Sequence, residues 1–529
     1  MPENILKLFI KKGFLLDKDM LDFFSQLEDE DVASEILSKI QASSGEKLIT
    51  RSLINSNIEK IKPVFKELDN EKQKLVERFF VNISVSVEVK KETRIENTNG
   101  DEDKNIQEDK NKLLKKTSIK VLSSPIAQDR RLEVKDFVRH FRNRYNFFKK
   151  ILQDKTELEG LTSIDKISGN RTFSIIAMVT NKSVTKNKNV ILEVEDLTGK
   201  TKLLVTKTKE EIFEKAKEIV LDDVIAFKCS GSRDFLFVND LFYPDSCLNE
   251  RKKLNEEVYA LFISDMHVGS ANFLEESFNR FIRWLNGEGC DEEQKAILKK
   301  IKYLFVVGDS IEGVGIYPGQ EKFLAIKDIR DQYKKLTEFY KKIPKYISII
   351  QCAGQHDAVR VAEPQPPIGE DFAESLTKIE NLYLVSNPSL IEIEGGEKEG
   401  FKILMYHGAS MHGLINEIEE LRLSNAHHTP AKAVKHLLKR RHLAPIHGSA
   451  IYIPNPIEDS MVIRQVPDIM ATGDLHKVDV EIYNNILIIC SSCWQSITAF
   501  EEKMGNQPDY CKVPILNLKT REIKILDFE

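Results

Sequence analysis

Between residues 257 and 500 the chain alternates short apolar runs with amphipathic helical stretches, and nearly every apolar run ends on an acid, a histidine or a glycine-containing turn. The runs are VYALFISD, YLFVVGD, ISIIQCAG, KILMYHG, IMATGD and ILIICSS. Runs of this length and composition predict buried strands. Alternation with helices predicts layered α/β architecture, with any chemistry at the strand ends.

Those ends carry a specific residue set. Asp265 and His267 follow the first run, Asp309 the second, Gln355, His356 and Asp357 the third, His407 the fourth, and Asp474 and His476 the fifth. Ten of the eleven histidines fall between His267 and His476. A mixed Asp/His set on converging strand ends can hold two divalent ions, with one carboxylate bridging them and a phosphate neutralised between. Glycine before Asp309, Gln355 and Asp474 is expected to let the backbone turn beneath each ligand. One D-x-H is weak; five such ends in this order are not accidental.

The rest of the chain divides by pattern. At 529 residues it exceeds one core, and two to four domains are expected. Residues 1–85 read as a small helical module, with Leu6, Phe9, Ile10 and Phe14 at helical spacing and Asp19 and Asp31 at N-cap positions. Residues 86–117 are almost wholly charged or amide and are expected to be a disordered linker. Residues 118–165 form a connecting helical region, in which Phe137, Phe141, Tyr145 and Phe148 make a stripe expected to be core. Residues 166–250 give five β-rich segments with one helical stretch after the third and a tight DLTGK turn, the pattern of an OB-fold. Residues 251–529 complete the α/β domain.

Charge and cysteines exclude other classes. With 78 basic and 83 acidic side chains the net charge is −5, so any nucleic-acid contact is local or supplied by a partner. Seven cysteines make no disulfide scaffold, and the lone C-x-x-C, Cys490 and Cys493, reads as two small residues ending a buried strand. No apolar run spans a bilayer and the N-terminus lacks a secretory pattern, so a cytoplasmic protein is expected.

The order D-x-H, GD, G-x-H-D, H, G-x-x-H resembles the calcineurin-like metallophosphoesterases. The strings ISDMHVGS, VVGDSIEGVGIYPGQ, LLKRRHLAPIHG, VPDIMATGDLH and SSCWQSITAFEEKM resemble, more narrowly, the small subunits of archaeal D-family DNA polymerases, over residues 118–529. The resemblance implies a 3′–5′ exonuclease acting with manganese or magnesium, and a large subunit that holds the DNA-synthesising centre. It implies one metal on Asp265, His267, Asp309 and His476, and a second on Asp309, Gln355, His407 and Asp474. His356 would be the general acid or phosphate binder, oriented by Asp357. Two positions depart from the family pattern: Gln355 stands where G-N-H-D has asparagine, and Asp474 where G-H-x-H has histidine. Both fall on the second metal, so the resemblance also admits a scaffolding subunit with weakened chemistry.

Two further expectations concern partners. Lys432, Lys435, Lys439, Arg440 and Arg441 are expected to contact DNA phosphates near the metals. Gln73, Val76, Phe79 and Phe80 match the Q-x-x-h-x-x-aromatic-aromatic pattern of peptides that dock on sliding clamps.

Overall fold

A computed structural model describes residues 118–126, 131–168, 172–232, 234–395 and 399–529, together with the strands Leu15–Leu16 and Leu48–Ile49. The chain divides into two compact units, Met1–Asn97 and Thr98–Glu529. In the first, the two short strands pair in parallel. The helices expected over 1–85, the charged linker and the clamp-like segment Gln73, Val76, Phe79 and Phe80 otherwise lie outside the described residues. Among the described residues no helix is long and apolar enough to cross a membrane.

The second unit opens on a strand where a helical connector was expected. Strand β1 (Ile119–Ser123) runs along the edge of a sheet formed much later in the chain. Helix α1 (Val134–Leu152) follows, started by reciprocal side-chain bonds between Glu133 and Asp136. Half of its stripe is core: Tyr145 and Phe148 pack against Ile176, Met178, Val224 and Ala226, and the Tyr145 hydroxyl donates to the Ile176 carbonyl at 3.0 Å, whereas Phe137 and Phe141 are half-buried against the His447 ring.

Five strands then close a barrel: β2 (Thr172–Val184), β3 (Val190–Glu195), β4 (Lys200–Val205), β5 (Val224–Ser232) and β6 (Phe235–Phe242). Their order is β2-β3-β4-β6-β5, with β5 closing on β2. Helix α2 (Glu210–Lys217) sits between the third and fourth strands, as the sequence predicts. The DLTGK turn forms because Asp196 Oδ1 accepts from the amides of Thr198 and Gly199. Alternate residues, among them Leu192, Val194, Leu203 and Val205, fill the interior.

The remaining residues build two six-stranded sheets. The first has the order β10-β9-β8-β7-β16-β17, from β7 (Tyr259–Ile263), β8 (Ile301–Val307), β9 (Ser348–Cys352), β10 (Leu382–Leu384), β16 (Lys512–Asn517) and β17 (Ile523–Asp527). The second is β14-β15-β13-β12-β11-β1, from β11 (Ser389–Ile393), β12 (Phe401–Met405), β13 (Ile469–Thr472), β14 (Asp479–Tyr483) and β15 (Ile486–Cys490). Tyr303, Phe305 and Val307 of β8 face the second sheet, while Leu304 and Val306 meet helices α3 (Glu275–Leu285) and α4 (Ile329–Tyr340). Both faces are buried, which is why these strands read as continuous apolar runs. Strands β7, β8 and β9 are mutually parallel, as are β12, β13 and β15, so their C-terminal ends share an edge within each sheet. Cys490 ends β15, and Cys490 and Cys493 are buried and unbridged.

Candidate metal centre

Each expected ligand lies two to four residues beyond a strand end. Asp265 and His267 follow β7, Asp309 follows β8, Gln355 and His356 follow β9, His407 follows β12, and Asp474 and His476 follow β13. Five of them, Asp265, His267, Asp309, Asp474 and His476, adopt left-handed φ angles between 48° and 68°. Non-glycine residues pay roughly 1 kcal/mol each in that region. Five in one place mean that the backbone is bent to aim these side chains.

The preceding glycines act mainly by making room. A Cβ on Gly308 would strike the His407 ring, one on Gly354 the Asp309 carboxylate, and one on Gly473 the Asp265 carboxylate. Of the three, only Gly308 also needs a positive φ, 85°.

The side chains converge in three overlapping groups whose ligand atoms lie within 4.8 Å of one another: Asp265 with His267 and His476, Asp265 with Asp309 and His407, and His267 with Asp309 and His356. Asp309 is shared, as expected. Asp265 is shared too, since His407 Nε2 lies 3.9 Å from its Oδ1 and His476 Nε2 lies 3.4 Å away.

Every imidazole is held by Nδ1 and turns Nε2 inward. His476 Nδ1 meets Glu501 Oε1 at 2.7 Å, and His407 Nδ1 meets the Val307 carbonyl at 2.7 Å. His356 Nδ1 meets the Glu312 carbonyl at 2.8 Å. His267 Nδ1 faces Glu312 Oε2 at 3.0 Å, an ion-pair distance without the alignment of a hydrogen bond. Such partners fix the tautomer and leave Nε2 as a free lone pair. The inward nitrogens of His267 and His476 are then only 3.3 Å apart. Two facing lone pairs at that distance call for a cation or proton between them. Three further buried atoms lack hydrogen-bond partners: His407 Nε2, Gln355 Oε1 and Asp474 Oδ2. Buried acceptors are rarely left so, and these donors fit hard divalent ions.

The charges of the cluster reinforce one another. Burial would raise the Asp309 carboxyl, but the imidazoles of His407 and His356 outweigh it and hold it well below the usual range. Burial would lower His407, but Asp309, Asp265 and Asp474 push it well up.

Residues 260–480 match the family model of the B-subunits of DNA polymerase alpha/epsilon. The DNA polymerase II small subunit of Pyrococcus furiosus is 37% identical over 395 residues, covering 73% of this chain and 63% of its own length. That of Methanothermobacter thermautotrophicus is 36% identical over 397 residues, covering 75% of this chain and 80% of its own. This chain belongs to the family of DNA polymerase II small subunits. Among solved structures, an archaeal phosphodiesterase covers 51% of this chain and 99% of its own at 13% identity and a TM-score of 0.25, too loose an overlap to argue from.

Within this small subunit three residues of the centre were not foreseen. Glu312, three residues after Asp309, serves both His267 and His356. Glu501 caps Thr498 at the start of helix α6 (Ala499–Met504) with one oxygen and meets His476 with the other; the T-x-x-E spacing was its visible signal. His412 Nε2 stands 3.3 Å from Asp474 Oδ2.

Two expectations are corrected. Asp357 does not orient His356. It accepts from the Ser310 hydroxyl at 2.5 Å, the Gly354 amide at 2.9 Å and the Tyr333 hydroxyl at 3.3 Å, and so pins the loop from within. Burial, with Asp309 nearby, raises its carboxyl to about 6. The basic run is not a free phosphate-binding face either. On helix α5 (Ala431–Arg440), Lys435 pairs with Glu481, Lys439 with Glu218 at 2.5 Å, and buried Arg440 with Asp223 at 3.0 Å. Arg441 donates to the carbonyls of Ile463 and Arg464. Lys432 is half-buried. Glu218 and Asp223 lie between α2 and β5, so this helix fastens the barrel to the sandwich.

Proposed function

We propose that this chain is the small subunit of an archaeal D-family DNA polymerase, paired with a large subunit that synthesises DNA, and that its metal centre removes nucleotides from a DNA 3′ end. In this reading the barrel is an OB-fold and the sandwich a calcineurin-like phosphoesterase domain. The observation that carries it is the convergence of four inward-facing imidazole nitrogens with Asp265 and Asp309, beside the buried, unpartnered oxygens of Gln355 and Asp474.

Asp265, His267, Asp309 and His476 would hold one divalent ion, and Asp309, Gln355, His407 and Asp474 the other. When bound, such ions supply charge neutralisation and water activation for phosphodiester hydrolysis. The protein's own part is positional. Glu312 and Glu501 fix the rings of His267 and His476, and Gln355 Nε2 donates to Asp474 Oδ1 at 3.1 Å, leaving its own carbonyl oxygen open. His356 is fixed through Nδ1, so when its ring is doubly protonated Nε2 is the atom that can hand a proton to the departing 3′ oxygen as the bond from phosphorus breaks. Oxygen ligands at Gln355 and Asp474 favour manganese or magnesium over softer ions.

Full-length chain with manganese and 5′-labelled single-stranded DNA is expected to shorten the strand stepwise from its 3′ end, and Asp309→Asn is expected not to. No shortening with either manganese or magnesium would refute the nuclease reading.

A further inference from the structure

Between Glu312 and Phe323 the burial pattern is inverted. Polar Glu312 and Gln320 are 3% and 1% exposed, while Val314, Ile316, Tyr317 and Phe323 stand 38–46% exposed. The loop is anchored rather than loose. Gln320 donates to the Glu312 carbonyl at 3.0 Å and accepts from the Ile316 amide at 3.0 Å. Buried Gln332 accepts from the Gly313 amide at 2.8 Å and donates to its carbonyl at 3.2 Å. Both ends are bridged to the segment after His267, Val268 with Ile311 and Ser270 with Leu324, and the Ala271 amide donates to the Phe323 carbonyl at 2.8 Å. Large apolar groups held in water by buried polar anchors mark a binding surface.

This loop is a wall of the metal centre. Its first residue, Glu312, faces His267 and takes the His356 ring on its carbonyl. Gly313 lies against the His356 carbonyl, so close that a Cβ would collide with it. Tyr317 and Phe323 are exposed aromatic residues beside the centre, and an aromatic ring can take any base. A paired base in a duplex has its own faces covered; an unpaired terminal base does not.

We propose that Tyr317 and Phe323 form a stacking platform for the unpaired 3′-terminal base of a nucleic acid whose phosphate lies at the metal centre. The proposal rests on the phosphodiesterase reading above and adds to it a preference for single-stranded ends.

The test uses the full-length chain and a single-stranded oligonucleotide with 2-aminopurine at its 3′ end, protected by a phosphorothioate linkage. Binding is expected to quench the fluorophore. Tyr317→Ala and Phe323→Ala are each expected to weaken binding about tenfold and to reduce the quench, in line with the loss of one base-aromatic stack. Tyr317→Phe is expected to retain both. Tyr383→Ala on β10, an equally exposed tyrosine at 41%, is expected to change neither. Cleavage of an unprotected strand with manganese is measured on the same preparations. Quenching without cleavage in the parent supports the platform and refutes the nuclease. Cleavage with a quench that neither alanine variant alters overturns the platform. So does an unchanged quench in alanine variants that no longer hold the large subunit, which would assign the loop to a polypeptide.

Discussion

The two halves of the proposed metal centre are built to different standards. In the first, His267 and His476 each face a carboxylate through Nδ1, Glu312 at 3.0 Å and Glu501 at 2.7 Å, and their inward nitrogens stand 3.3 Å apart. In the second, His407 rests on a main-chain carbonyl, and Asp474 accepts from Gln355 at 3.1 Å through Oδ1 while its Oδ2, 3.3 Å from His412, makes no hydrogen bond. Carboxylates behind imidazoles raise ligand basicity and fix the rings. The comparison teaches that ligand count is not affinity: both halves have enough donors, and only the first has carboxylates set behind its two imidazoles.

The largest effect should come from Asp309, one of the two carboxylates that the halves share. Asp309→Asn is expected to lower phosphodiesterase activity by more than about a hundredfold, beyond the 10–100-fold usual for disturbing a ligand's support, and to weaken ion binding in both halves. If isothermal titration shows one half untouched, Asp309 is not the bridge.

Next is the bracing itself. Glu501→Gln is expected to weaken the tighter ion roughly 10- to 100-fold while leaving the weaker one alone. Equal weakening of both would erase the distinction drawn above. Because a glutamine oxygen can still accept from the Thr498 amide, α6 should keep its cap and the unfolding free energy should hardly change.

Restoring the family pattern sharpens the comparison from the other side. Gln355→Asn with Asp474→His is expected to tighten the second ion and raise the exonuclease rate by about tenfold. If the parent is already fully active and the pair changes nothing, the two departures are harmless local solutions.

The last prediction concerns stability rather than ion binding, at Glu363 beside the second half. It is buried, accepts from the Tyr406 hydroxyl at 3.2 Å, and burial raises it to about 8. The native state therefore keeps a proton that the unfolded chain releases from its ordinary value of 4.5 upward. Stability with metals chelated should fall as pH rises from 4.5 through about 8, by up to ~1.4 kcal/mol per pH unit. Glu363→Gln is expected to flatten that slope in denaturant titrations across the same range.

What the sequence made legible follows from how local each signal is. A strand end with its ligand occupies one short string, so Asp265, Asp309 and His407 could be placed at strand ends in advance. The barrel was legible for the same reason, since its strands alternate and its turn is spelled by Asp196 to Gly199. Glu312 and Glu501 were hidden because their partners, His267 and His476, are distant in sequence and joined only by the fold. Strand β1 was hidden likewise, since its pairing residues 389–393 lie far along the chain. Asp357 misled because adjacency to His356 stood in for contact. The basic run misled because charge alone cannot separate a solvated face from one whose Arg440 is buried against Asp223.

The most direct test is a manganese titration of the full-length chain at neutral pH, followed by calorimetry and by the paramagnetic resonance of free manganese. Two ions are expected, the first saturating at a concentration at least about tenfold below the second. Two indistinguishable sites, or no binding, would contradict a centre in which only one half is braced by carboxylates.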